Sequence, residues 1–344
     1  MPSSISSSER AIPAGAWRAT WLVALVLAIS SIAFLEHVTR AHHQRPTVPE
    51  DPVWWSLTRR TVENDPRVVA FVGTSRMKLE YSPEAFAAAA PEFRGVQLAI
   101  NGAPSLGVLE DLANDEQFRG LAVVDLIEWD IGVNDGFTAA APFVKRGHSV
   151  WRAPGAVANR VLGSRIQEHL ALLAVGGRPL LNSLLRSHRW PNPMWVVTDR
   201  EGSSHGDYSL ADPKALQGKR EWRVKDFFTT VPTPEVWLAS LDHDVEPLVK
   251  KIQARGGDVV ILHMPISGVF AADFDQGYPR AKYWDVYATR SAAHVLHFRD
   301  IPEMAPLSAP DEMHLDQRDQ ATFTRSLVEA MRARGYLKLP GSML

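Results

Sequence analysis

The sequence predicts an α/β protein, a parallel sheet with helices on both faces, carried behind one apolar N-terminal helix. Three observations predict it. Short apolar runs alternate with helix-forming stretches from residue 68 onwards, several of the runs stop at Gly, Ser or Asn, and Ala19–Leu35 holds seventeen residues without a charge. Alternation of this kind builds a parallel sheet, because each return to the same edge needs a crossover helix. The chain has 344 residues, 45% hydrophobic and 22% charged, which suits a globular fold of about two domains or one domain with an insert.

Charge and cysteine content exclude several classes. Thirty-seven Lys and Arg stand against thirty-nine Asp and Glu, a net charge of −2. Nothing there supplies the counterion release on which nucleic-acid affinity rests, so no nucleic-acid partner is expected. The absence of cysteine removes disulfide scaffolds, thiolate metal sites and cysteine nucleophiles.

The first element lies in the segment WRATWLVALVLAISSIAFLEH from Trp17. Its charge-free stretch is at the short end of what spans a bilayer and long for a signal-peptide core. Trp17 and Trp21 suit an interfacial belt. No clean A-x-A site follows, so an uncleaved anchor is expected, with a cleaved signal as the alternative. Residues 41–52, with three prolines and two adjacent histidines, read as a linker. The expected division is an anchor and linker over 1–45 and one domain over 46–344, with an insert at about 136–230.

Val68–Gly73 reads as a buried strand ending in Gly73-Thr74-Ser75. Ser82-Pro83-Glu84 opens a helix, with Ser at the cap and Pro in the first turn. Val96–Ile100 is a second strand, ending in Asn101-Gly102, and Ser105–Phe118 is helical. Val123–Ile131 is a third strand, ending in Gly132-Val133-Asn134-Asp135. Glu128 and Asp130 are unusual inside a buried parallel strand. The insert has a helix-like stretch near Ala156–Leu185, then a Trp-, Pro- and Gly-rich segment without period. Alternation resumes with a helix over Thr233–Arg255, strands at Val259–Met264 and His294–Phe298, and a closing helix over Gln317–Arg334.

Ligands of such sheets bind at the carboxyl ends of the strands. That rule points to Ser75, Gly102 and Asn134. A serine there is a nucleophile if a histidine takes its proton and an acid orients the histidine. The turn Asp311-Glu312-Met313-His314 places carboxylate and imidazole on one side. Oxyanion donors would be the Ser75 N–H, the Gly102 N–H and the Asn134 amide. The plainer readings stand beside these: Ser75 as a helix cap, Asn134-Asp135-Gly136 as a turn, Arg76 in a surface salt bridge, His263 as a core histidine.

Gly73-Thr74-Ser75, Asn101-Gly102, Gly132-Val133-Asn134-Asp135 and Asp311-x-x-His314 resemble, in order, the four blocks of the SGNH/GDSL hydrolase superfamily. The resemblance spans roughly residues 66–336 and implies a flavodoxin-like three-layer α/β/α sandwich. The first block reads Gly-Thr-Ser-Arg where the superfamily usually has Gly-Asp-Ser. With an N-terminal anchor, that variant is similar to the cell-envelope branch that includes alginate O-acetylation and D-alanyl transfer proteins. The branch implies a single-pass bacterial inner-membrane protein with its catalytic domain in the periplasm, beside a membrane-bound O-acyltransferase. Ser75 would then pass an acyl group to a polysaccharide hydroxyl. Arg76 and Asp135 are the expected substrate contacts, and no metal or cofactor is needed. A carbohydrate esterase and a silent glycan-binding scaffold are the alternatives, the intact Ser75, His314 and Asp311 counting against the scaffold. Trp151, Trp190, Trp195 and Trp222 of the insert are either a glycan platform or core.

Overall fold

The computed structural model describes residues 17–131, 140–149, 153–175, 185–186, 190–214, 216–217 and 230–338. Helix α1 (Trp17–Ala41) is followed by α2 (Pro52–Arg60), which Asp51 caps by accepting the N–H groups of Val53 and Trp54 at 2.7 and 3.2 Å. Strand β1 (Val68–Val72) leads into α3 (Ser75–Glu80) and α4 (Pro83–Ala89). Then come β2 (Arg94–Gln97), α5 (Leu106–Asn114) and β3 (Leu121–Asp125). After α6 (Ala141–Ser149), α7 (Pro154–Gln167) and α8 (Ala171–Val175), a small antiparallel hairpin pairs β4 (Val196–Thr198) with β5 (Ser204–Gly206). The chain closes with α9 (Pro234–Asp244), α10 (Glu246–Gln253), β6 (Asp258–His263), α11 (Gly268–Gly277), α12 (Trp284–Arg290), β7 (His294–His297) and α13 (Gln320–Ala333).

The main sheet has the order β2-β1-β3-β6-β7, with every pair parallel. Counting only these strands the order is 2-1-3-4-5, the flavodoxin-like doubly wound arrangement, so the expected α/β sandwich is the one that forms. With right-handed crossovers, α4 and α13 share one face and α5 and α10 the other, and each of those pairs is in contact. β1 and β3 lie centrally and all their residues are buried, which is why they read as unbroken Val- and Ala-rich runs.

Three expected boundaries shift. The third strand stops at Asp125, and Glu128–Asp130 form a single 3-10 turn beyond the sheet, closed by the Ile131 N–H on the Glu128 carbonyl. That explains two acids in an apparent strand. The long helix over Thr233–Arg255 is two helices, because Pro247 has no N–H to carry the ladder across Val245. The second strand starts and ends earlier, though Leu98 and Ile100 still donate to Phe71 and Gly73 carbonyls.

Residues 44–51 run against the hairpin: the Val48 N–H donates to the Thr198 carbonyl at 2.9 Å, and Gln44 reaches the Asn192 carbonyl at 2.9 Å. Gly73 lets α3 begin directly under β1. A Cβ there would strike the Met77 side chain and come within 2.9 Å of Asp125 Cβ. The topology reverses between β1 and β3, so Ser75 sits at the switch point of the sheet.

Candidate active site

Ser75 is the first residue of α3, and Thr74, not Ser75, is its cap: Thr74 Oγ1 accepts the Arg76 N–H at 3.4 Å. The Ser75 hydroxyl is thereby left for another partner. Its Oγ lies 2.8 Å from His314 Nε2, although 239 residues separate the two in the chain. His314 Nδ1 is 2.9 Å from Asp311 Oδ2, and the other carboxylate oxygen accepts the N–H groups of Met313 and His314 at 3.2 and 2.9 Å. Three donors thus fix a buried carboxylate against one ring nitrogen. With Nδ1–H donating to Asp311, the Nε2 lone pair faces the serine O–H, the tautomer a general base requires.

The turn carrying this pair is braced from below. Glu312 adopts a left-handed backbone (φ 73°), and its carboxylate accepts the Phe270 N–H at 3.0 Å while its carbonyl accepts the Ser267 N–H at 3.0 Å. Gly268, itself left-handed at φ 66°, leaves the space: a Cβ would approach Glu312 Oε1 to 2.7 Å. Sequence reasoning passed over Glu312, whose role needs the fold of α11 to be visible.

Ser75, Asp311 and His314 open on a cavity of about 380 Å³. Its other walls are Lys78 and Leu79 of α3, Asn101 after β2, Glu50, and Trp195, Val196, Thr198 and Ser204 of the insert. Lys78 Nζ pairs with Glu50 Oε1 at 2.8 Å, and the Asn101 N–H lies 3.2 Å from both Glu50 oxygens. Glu50 and Lys78 are not among the residues the sequence singles out, and Asn101 is singled out only as part of the Asn101-Gly102 block. Of the insert tryptophans, Trp195 lines the cavity and Trp190 stacks on His42 at 4.2 Å. Trp151 and Trp222 lie outside the described residues.

Gly102 sits in the exposed turn after β2 with φ 71°, which favours glycine, and no heavy atom lies within 4 Å of where a Cβ would stand. Asn134 and Asp135 lie outside the described residues. Arg76 does not face the cavity. It is buried, and its Nη2 pairs with Asp125 Oδ1 at 2.5 Å, so the expected substrate contact is corrected. The reason is helical geometry: one residue along α3 from Ser75, the side chain turns about 100° into the interior.

Arg76 enters a set of buried acids. Its charge acts on Glu80, Asp125, Glu128 and Asp130, all fully enclosed. Burial pushes the Glu128 carboxyl up to about 8 and that of Asp130 up to about 7, with Arg76 pulling both back. His263 Nδ1–H donates to the Met264 carbonyl at 3.0 Å, while Nε2 lies 3.2 Å from Glu128 Oε2. Burial holds His263 neutral down to about 3, and His297, stacked on it at 4.5 Å, down to about 2.

These shifts set a stability profile. The two acids have raised folded values, so their contribution declines as pH rises from their unfolded values near 4 to about 8. The two histidines have depressed folded values, so theirs declines as pH falls below about 6.5. Burial raises Glu80 and Asp125 as well, so the acids outweigh the two histidines, and the decline with rising pH steepens above about 6.5, where those histidines no longer oppose it. Denaturant unfolding should therefore give a decline from about pH 4.5 that steepens above about 6.5, at up to about 1.4 kcal/mol per pH unit per group. Glu128→Gln should flatten the alkaline limb. An unchanged limb in that variant would remove Glu128 from the account.

No protein-family model and no curated protein matches this chain. Among solved structures it is similar to TesA, at 14% identity over 77% of this chain and 98% of that one, with a TM-score of 0.35. It is also similar to the psychrotrophic esterase EstA from Pseudoalteromonas sp. inhibited by monoethylphosphonate, at 11% identity over 78% and 99% of the two chains, TM-score 0.33. The fold itself stands on strand order and register: a doubly wound parallel sheet with a Ser–His–Asp hydrogen-bond chain at its switch point.

Proposed function

We propose that this chain is a membrane-anchored O-acyltransferase that acylates an envelope polysaccharide through Ser75, with acetyl as the expected group. The observation that carries the reading is the relay Ser75–His314–Asp311 at 2.8 and 2.9 Å, opening on a cavity at the strand ends. His314 takes the Oγ proton as Ser75 attacks the acyl carbonyl, and Asp311 stabilises the imidazolium. The oxyanion is met by the Ser75 N–H, free of an intrahelical partner in the first turn of α3, with Gly102 N–H and the Asn134 amide as further donors. The imidazolium returns its proton to the leaving group, and an acyl ester remains on Ser75. A sugar hydroxyl, deprotonated by the same histidine, then attacks that ester and restores the serine.

Water in place of the sugar makes an esterase of the same site. What favours transfer is the cavity lining, which includes Trp195, a ring of the type that stacks on sugars, together with Asn101 and Thr198. The acyl donor would be delivered by a membrane-bound O-acyltransferase partner. Helix α1, apolar over one bilayer length and exposed from Trp17 to Leu35, supports an anchor holding the site beside that donor.

Two measurements test the reading. Full-length protein should stay in the membrane fraction through a high-salt wash, because hydrophobic insertion is not weakened by salt; recovery as full-length soluble protein would sink the anchor. With an activated acetyl ester and an acetyl-free envelope polysaccharide, label should move to the polymer faster than to water. Release only as acetate, whatever the polymer concentration, would leave the esterase.

A further inference from the structure

Helix α7 has its amphipathicity reversed. In a helix packed on a globular domain the apolar stripe faces inward and the polar face meets water. Here Ser164 is fully buried, and Arg160 is turned inward, hydrogen-bonding Gln167 at 3.1 Å and reaching the Pro49 carbonyl, on the side where α7 meets α2. The outward face carries Ala158, Leu162 and Ile166, spaced four apart on one stripe, with Val161 beside them. Leu162 is 66% exposed and Ile166 51%. Leu173 of the adjoining α8 is 44% exposed, and α7 and α8 touch.

This face is continuous with the anchor. Glu36, the first residue after the charge-free stretch of α1, accepts the N–H groups of Ala171 and Leu172 at 2.9 Å each, and Arg40 donates to the His169 carbonyl at 2.9 Å. The start of α8 is thereby fixed to the point where α1 would leave a bilayer. Arg165, 61% exposed and next to the stripe, can rest its stem on apolar surface and keep its charge among headgroups.

We infer that α7 and α8 are an interfacial membrane element, their Leu162–Ile166–Leu173 face seated in the lipid surface beside α1. The inference rests on α1 being a membrane anchor. It would make the insert a foot that sets the orientation of the cavity above the membrane, since the same insert supplies the Trp195 wall.

The chain has no cysteine, so single-cysteine variants report one position each. Nitroxide labels at Leu162→Cys, Ile166→Cys and Leu173→Cys are compared with Leu25→Cys in α1 and with two exposed references, Val236→Cys on α9 and Glu329→Cys on α13. The full-length protein is reconstituted in phosphatidylethanolamine vesicles with a minority of phosphatidylglycerol. Relaxation by oxygen relative to a water-soluble nickel chelate should place the three insert labels in the lipid interface, severalfold above the references and below Leu25. Insert labels matching the references, with Leu25 in lipid, would overturn the inference, keep the anchor and give the face to a protein partner. An aqueous Leu25 label would remove the anchor and this inference with it.

Discussion

Replacing Ser75 by Ala should abolish acyl-enzyme formation, and His314→Ala should cost about as much, on the order of a million-fold in rate, because nucleophile and base act as a unit. The geometry gives the reason. Ser75 Oγ has its hydrogen-bond partner in His314 Nε2 at 2.8 Å, and without that base a hydroxyl near pH 7 is a poor nucleophile. Asp311→Asn keeps the base and spoils its tautomer: an amide NH₂ toward Nδ1 favours the proton on Nε2, and a loss of about ten-thousand-fold is expected. Asp311 also accepts two backbone N–H groups of its own turn, so Asp311→Ala would loosen the loop as well, and Asn is the cleaner variant. The check is incubation with an activated acetyl ester, acid quench and mass spectrometry of the peptide carrying Ser75. Acetyl on Ser75, absent from the His314→Ala protein, is the expected result. A folded protein with an unmodified Ser75, together with undiminished polymer acylation by Ser75→Ala cells, would leave the scaffold reading.

How much of this was legible follows from the range of the interactions. The strands were legible because β1, β3 and β6 are buried along their length and are apolar except for Asp125, Asp258 and His263 at strand ends. The relay was legible in pieces. Asp311 and His314 are three residues apart in one turn, and the strand-end rule isolates Ser75, so only their meeting required the fold. Arg76 was misjudged because a charged residue beside a candidate nucleophile reads as solvent-facing, whereas its burial depends on an Asp125 forty-nine residues away. Glu128 and Asp130 were a puzzle because periodicity cannot tell a strand's last residues from a 3-10 turn beyond its edge. Glu50, Asn101 and Trp195 come together only when residues 44–51 and the β4–β5 hairpin dock over α3. No local pattern encodes that wall.

The largest expected loss of stability lies one residue from the nucleophile. Arg76→Met removes the guanidinium that faces Asp125 at 2.5 Å and that also acts on Glu80, Glu128 and Asp130. Both partners are almost wholly enclosed, with side-chain exposures of 2% and 0%, so water cannot replace the lost charge. Breaking a buried pair from one side costs about 3–5 kcal/mol, a fall in Tm on the order of 10 °C. Asp125→Leu should cost about as much, since it strands Arg76 and also removes the partner of Thr74 Oγ1 at 3.4 Å, loosening the cap of α3. The double variant Arg76→Met with Asp125→Leu should be more stable than the sum of the two losses implies, because neither charge is then left alone. Arg76→Lys keeps a charge but not the fork, and should fall between. Thermal unfolding of the four proteins reads this directly, with ester-hydrolysis kinetics well below each Tm as the companion. If Arg76→Met melted with the parent protein while raising KM for the acceptor, Arg76 would belong to the substrate after all, and the interior position argued for it would be wrong.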